Sequence, residues 1–383
     1  MTGANDLATV EGIQAYISGT LFDSVDVLRL SGGYGNYTYR LSLRAPFHGQ
    51  ETVILKHAKP YVAAMQSIAF SLQRQVYEVT ALRQVRDMLP ADSLVTVPEV
   101  LRFDESASVI IMSDCQRRAG SVSLPLKQAL ISNALPLAAT IQVGHALGEF
   151  LARLHAHGRD DRAFAEFFAK NEEGKKLSAL VTYGRLVSTL TGNTLPALMD
   201  PPFETNDAEL ERVAAVAAEM EREMLETRET VVMGDFWPGN VLVSLTDGEK
   251  LDGDGRPVGV GVDGVYVIDW EMAKTGLAGL DIGQFVAELQ LICDFKPEGR
   301  EAASNVRDAF LRAYGKSAGT GLGVARRALT HIGAHLVAWT VRTSWEGKEK
   351  MREVVRKGVD LLVRGHEGAE SYIRDSVVGP LLM

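Results

Sequence analysis

The sequence predicts an α+β fold in two lobes: a β-rich N-terminal lobe over 1–113, a connection at 114–121 and an α-rich C-terminal lobe over 122–383. Three observations carry that expectation. The first hundred or so residues run in short apolar–polar alternations broken by glycine, the mark of strands and tight turns. After Asp114 the apolar residues recur at helical spacing instead. A chain of 383 residues exceeds one small core and suits two lobes around a cleft, where ligands usually sit.

Each element follows in order. RLSGGYGNYTYRLSL (29–43) sets a glycine cluster between two alternating segments, a strand–turn–strand signal. ETVILKHA (51–58) alternates again and puts Lys56 on one strand face with Ile54 and Ala58. Leu72, Val76, Val79 and Leu82 predict a helix over 64–89, and two strands follow near 95–103 and 108–113. In 140–157 a stripe of Val143, Leu147, Leu151 and Leu154 predicts a helix that Gly158 would cap. Residues 207–227 read as an acidic, alanine-rich helix. One hairpin interrupts this helical region: VVMGDFWPGNVLVSL (231–245), then GVYVIDWE (264–271). From about residue 280 the pattern is helical to the end.

Composition removes several classes of function. Forty Lys and Arg against 49 Asp and Glu leave a net charge of −9, which excludes a nucleic-acid binder working by bulk charge. With 46% hydrophobic and 23% charged residues, the chain is neither disordered nor a disulfide scaffold. Cys115 and Cys293 sit in no metal or redox pair, so a reducing compartment is expected. MTGANDLATVEG lacks a signal-peptide pattern. The longest uncharged run, 128–148, is broken by Asn133, Pro136, Gln142 and His145. A soluble, cytoplasmic protein without a membrane partner is expected.

The chemistry concentrates at MGDFWPGN (233–240) and VIDWE (267–271). Asp235, then Asn240 five residues later, then Asp269 ending the next strand, form the D-x-x-x-x-N … D arrangement of phosphoryl-transfer sites. The first Asp orients the attacking hydroxyl; the amide and the second carboxylate hold Mg²⁺, which needs few protein oxygens beside phosphate and water. In the N-terminal lobe Gly33, Tyr34, Gly35 and Asn36 could lay backbone N–H groups over phosphates. Glu78 sits on the inward edge of its helix, where an unpaired carboxylate is costly. A Lys56–Glu78 ion pair would satisfy both groups and aim the lysine at phosphate. His155 reads as a buried, hydrogen-bonded histidine, and Asp281 as a cap that fixes the catalytic loop. The motif Asn36-Tyr37-Thr38 fits a glycosylation pattern but has no secretion signal to go with it.

These motifs together resemble the aminoglycoside phosphotransferase and choline kinase superfamily, small-molecule relatives of the protein kinases. Within it, RLSGGYGNYTYRL, VILKHAKPYV, GDFWPGNVLV and IDWEMAKTGLAGLDIG are similar to the methylthioribose kinase branch and its fungal 4-hydroxytryptamine kinase offshoot. The resemblance implies a two-lobed protein-kinase-like fold with ATP and Mg²⁺ as cofactors. It implies Asp235 as catalytic base, Asn240 and Asp269 as metal ligands, and Glu271 as a further metal or water-mediated contact. Lys56 becomes the phosphate-binding lysine with Glu78 as partner, Gly33 to Asn36 the covering loop, and Met112 to Asp114 the adenine hinge. The superfamily motif usually begins with His where this chain has Met233.

The expected activity is therefore transfer of the γ-phosphate of ATP to a hydroxyl of a small metabolite. A hydroxytryptamine-like aromatic amine or a methylthioribose-like sugar leads; choline, ethanolamine or an aminoglycoside is the alternative. A catalytically inactive nucleotide-binding protein is a third reading, against which the intact five-residue set argues. Trp237, Trp270, Trp339 and Arg342 are the candidates for contacting the acceptor.

Overall fold

The computed structural model describes residues 6–31, 33–115, 122–192, 194–246, 250–251, 257–258 and 261–383. Most of the connection expected at 114–121, and Gly32 of the glycine cluster, lie outside them. The chain divides into two compact units, Met1–Ser123 with Tyr266–Met272, and Leu124–Val265 with Ala273–Met383. The first is built around a sheet and the second around helices, the α+β organisation the sequence predicts.

The first unit holds a five-stranded antiparallel sheet in the order Ser24–Arg29, Tyr37–Phe47, Gln50–His57, Val109–Ser113, Val100–Asp104. His48 and Gly49, both at positive φ (48° and 80°), make the tight turn between the second and third strands, as two-residue hairpins require. Alternation along these strands sends Tyr39, Leu41, Val53, Leu55, Val109 and Ile111 into one core with Ile13 and Ile17 of the helix Val10–Ile17. Lys56 pairs in register with Ile110, which fixes its place in the sheet interior.

The helix expected over 64–89 is shorter, Arg74–Met88. Ahead of it Tyr61–Val62 and Met65–Ala69 form a small hairpin. The N–H groups of Ala63 and Ala64 donate to the carbonyls of Gly35 and Tyr34, which ties the hairpin to the glycine turn. The Phe70 N–H, which a helix over 64–89 would have spent internally, donates to the Pro60 carbonyl instead. Leu72, taken as part of the apolar stripe, is partly exposed in the turn before the helix.

In the second unit the helix Leu137–Asp160 lies against Arg300–Ala318. Gly144 and Gly148 let the two backbones close: a Cβ at either would stand 2.4 Å from the carbonyl oxygens of Val306 and Phe310. Gly158 does not cap the helix, which runs on to Asp160. Its hydrogen instead makes room for the strand Thr230–Val232, since a Cβ there would meet the Val231 nitrogen at 2.3 Å. A second core joins the helices Glu172–Thr182, Asp207–Glu226, Leu322–Trp339 and Lys348–Glu367. Among the described residues no helix is long and apolar enough to cross a membrane.

Candidate active site

Two sets of chemical groups stand out, one in each unit. In the first, Lys56 comes from the third strand and Glu78 from the inner face of Arg74–Met88, so that Lys56 Nζ bonds Glu78 Oε1 at 2.7 Å. The same ammonium bonds Asp269 Oδ1 at 2.5 Å. Asp269 holds a left-handed backbone conformation, φ 67°, which Asp tolerates better than most residues. This turn aims its carboxylate at the lysine. Burial works against the Lys56 charge, but Asp269, Glu78 and Glu271 outweigh it and push the ammonium's pKa up.

Glu271 sits beside this pair and is gripped from two sides. Asn36 Nδ2 donates to its Oε2 at 2.7 Å and Arg74 Nε at 3.1 Å. Arg74, almost wholly buried, also donates to the carbonyls of Phe70, Ser71, Lys59 and Gly35 and to Asn36 Oδ1. It thereby ties the glycine turn, the hairpin and the acidic cluster into one network. Gly35 packs so tightly there that a Cβ would fall 2.3 Å from Glu271 Oε1. Tyr34, at the tip of the turn, is exposed.

Ligand oxygens of Glu78, Asp269 and Glu271 lie within 4.8 Å of one another. Burial, the largest effect, pushes both Glu78 and Glu271 upward in pKa, with Asp269 adding to it and Lys56 opposing. Such a surplus of hard carboxylate oxygen suits a divalent cation such as Mg²⁺. Asp269 is the accessible member, with 32% of its side chain exposed against 1% for Glu78.

Elsewhere in this unit the expected residues are committed to structure. The Asp114 carboxylate accepts from Arg40 Nε at 2.7 Å, Thr52 Oγ1 at 2.8 Å and its neighbour Cys115 N at 2.9 Å. Met112 is a buried member of the strand Val109–Ser113. Trp270, expected as an acceptor contact, has no exposed surface: its Nε1 donates to the Val267 carbonyl at 2.9 Å and its ring is core. Turning Asp269 outward sends its neighbour inward.

In the second unit the loop after Thr230–Val232 turns at Gly234, φ 79°. Its main chain is clamped by Asp281, whose Oδ2 accepts from Met233 N at 2.8 Å and whose Oδ1 accepts from Gly234 N at 2.9 Å. Asp281 in turn bonds His155 Nε2 at 3.3 Å, and His155 Nδ1 meets the Tyr314 hydroxyl at 2.8 Å. His155 is thus the buried, hydrogen-bonded histidine expected; Asp281 holds the loop as expected but does not cap its helix, whose N-cap Leu277 has no side-chain bond, and the loop is supported without a histidine at 233. Phe236 anchors the loop below, stacked among Phe285 and Phe310.

Above that anchor Asp235 is aimed by amides. Gln284 Nε2 donates to its Oδ1 at 2.7 Å and Asn240 Nδ2 to its Oδ2 at 3.0 Å. With the Asn240 nitrogen turned to Asp235, its oxygen is the atom suited to a metal. Lys274 is buried nearby; burial pulls its pKa down to about 8, opposed by the charges of Asp281 and Asp235. Of the remaining acceptor candidates, Trp237 lies under Lys127 Nζ (5.1 Å to its centroid) and Trp339 under the Arg185 guanidinium (4.2 Å). Arg342 donates to the Ala338 carbonyl at 2.6 Å.

Reading the sequence missed Arg74, Gln284, Lys274 and Arg185. Gln284 had a signal: Asp281, Gln284 and Glu288 fall at i, i+3 and i+7, a polar stripe on the largely apolar helix Ala278–Phe295. Arg74 had a weaker one, four residues before Glu78 on the same helix face.

With this geometry in view, the relatives are informative. A 4-hydroxytryptamine kinase of Psilocybe cubensis is 32% identical over 93% of this chain and 92% of its own length. A methylthioribose kinase of Geobacillus kaustophilus is 28% identical over 65% of this chain and 58% of its own. The solved structure of amicoumacin kinase hAmiN in complex with AMP-PNP, Ca²⁺ and Ami shares the fold. Its TM-score is 0.50 at 11% identity, over 97% of this chain and 100% of that one. Residues 26–328 match the model of the phosphotransferase enzyme family. This chain belongs to that family, and it is a small-molecule kinase.

Proposed function

We propose that the kinase uses ATP with Mg²⁺ and that Asp235 is its catalytic base. The acceptor is a hydroxylated small metabolite of the kind its relatives' names indicate, a hydroxytryptamine-like aromatic or a methylthioribose-like sugar. The observation that carries the reading is the Asp235 carboxylate fixed by Gln284 and Asn240 on a loop clamped through its backbone.

Each residue then has a task. Asp235 takes the hydroxyl hydrogen and directs the oxygen along the line of attack. Lys56, held charged by Glu78, meets the phosphates, and Gly33 to Asn36 cover them with backbone N–H groups. Asn240 and Asp269 are the proposed Mg²⁺ ligands, with Glu271 next to Asp269; the ion would supply charge neutralisation for the phosphoryl oxygens. Main-chain groups of Met112 to Asp114 would bind adenine. Measuring ADP release against a panel of hydroxyindoles, thiosugars, choline and aminoglycosides tests the assignment. Turnover with an indole or thiosugar supports it; turnover confined to choline or an aminoglycoside replaces the acceptor.

A further inference from the structure

The glycine turn of the first unit has two unlike sets of backbone groups. Its carbonyls are engaged: that of Tyr34 accepts from Ala64 N at 2.9 Å, and that of Gly35 from Ala63 N at 3.3 Å and Arg74 Nη2 at 3.2 Å. Its nitrogens are not. Among the described residues the backbone N–H groups of Gly33, Tyr34, Gly35 and Asn36 donate no hydrogen bond, and Gly33 and Tyr34 are exposed. A run of open peptide N–H groups on a turn whose carbonyls are held from behind suits an anion.

What holds the turn is a buried fixture with no donor to spare. Every nitrogen of Arg74 is occupied: Nε by Glu271, Nη1 by the carbonyls of Phe70 and Ser71, and Nη2 by Gly35, Asn36 and Lys59. A guanidinium engaged in this way has no N–H left for a phosphate. Asn36 is equally committed, since its Nδ2 donates to Glu271 Oε2 at 2.7 Å and its Oδ1 accepts from Arg74 Nη2 at 3.2 Å. Both side chains of the Arg74–Glu271 ion pair are buried. The Glu271 charge is therefore answered before any anion arrives.

We infer that Arg74, Asn36 and Glu271 are positioning residues for the phosphates of the nucleotide: their side chains touch none of it, and they set the turn that does. This rests on the ATP reading proposed above and says what makes its phosphate cover rigid. It also gives Glu271 a task distinct from that of Asp269, because Oε2 of Glu271 is spent on the turn.

The test separates phosphate recognition from the rest of the nucleotide. Calorimetry on the full chain, with Mg²⁺ in excess, compares ADP with adenosine, which carries no phosphate. Asn36→Ala removes one bond from the fixture, and Arg74→Lys keeps the charge without the fork. Each should weaken ADP about tenfold or more, the worth of a charged hydrogen bond. Adenosine affinity should stay as it is in the parent, a split that a merely structural role would not produce. Urea midpoints show whether each variant is folded; should Arg74→Lys fail to fold, Asn36→Ala decides alone. Unchanged ADP affinity in the folded variants overturns the inference, and so does an equal loss for ADP and adenosine. A parent chain that binds ADP no better than adenosine would instead remove the phosphate site itself, and the ATP reading with it.

Discussion

The surroundings of Lys56 and of Asp235 are built on opposite principles. Around Lys56 the partners are full charges: Glu78, Asp269 and Glu271, with Arg74 behind. Around Asp235 the donors include the amides of Gln284 and Asn240, on a loop held by backbone N–H bonds, with Lys274 buried nearby. The ionic cluster keeps the Lys56 charge in place, as its proposed role of neutralising phosphate requires. The amide cradle fixes the direction of the Asp235 carboxylate, as suits the proton acceptor proposed for it.

Substitution separates the two designs. The largest effect should come from Asp235→Asn, which keeps the shape of the cradle and removes the base. Turnover should fall roughly 10²-fold or more, with a melting temperature near that of the parent. An ADP-release assay with turnover close to wild type would end the assignment. Lys56→Met should add a stability loss of about 3–5 kcal/mol to its loss of turnover, because three carboxylates lose their shared cation. Urea denaturation measures it, and a loss no larger than that of Asp235→Asn would erase the contrast. Asp281→Ala leaves two backbone donors unanswered and should cost about 1–3 kcal/mol. Its kcat should drop while the KM for ATP stays put; a raised KM for ATP alone would show that the clamp serves the nucleotide instead.

The smallest effect concerns pH. Burial alone would raise Glu288, but His335 and Lys127 hold it down at about 2, below its ordinary 4.5. A carboxyl depressed in the folded state contributes stability that is complete above about 4.5 and is lost as pH falls toward 2. Glu288→Gln should therefore flatten the acid limb of a stability–pH curve, read from urea midpoints. An unchanged limb would mean that the pairing carries no net stabilisation.

Legibility in the sequence followed distance along the chain. Asp235 and Asn240 stand five residues apart, and Lys56 and Glu78 lie within one strand–helix unit, so order and spacing revealed them. Arg74 meets Glu271 across 197 positions, and nothing local marks such a partner. Trp270 misled because an aromatic beside a chemical Asp looks like a pocket wall; the left-handed turn at Asp269 sends it into the core instead. The apolar pattern before Arg74 suggested helix because periodicity does not report backbone donors already bonded to another segment.

The clamp on the loop at 233 has a consequence for how such enzymes are recognised. Asp281 grips the peptide nitrogens of Met233 and Gly234, and a peptide nitrogen is the same whatever residue bears it. Position 233 is therefore free to drift among residues that fill its buried space, while 234 and 281 are not. A search pattern keyed to the letter at the head of this motif will lose true members. One keyed to the glycine and the distant aspartate will keep them.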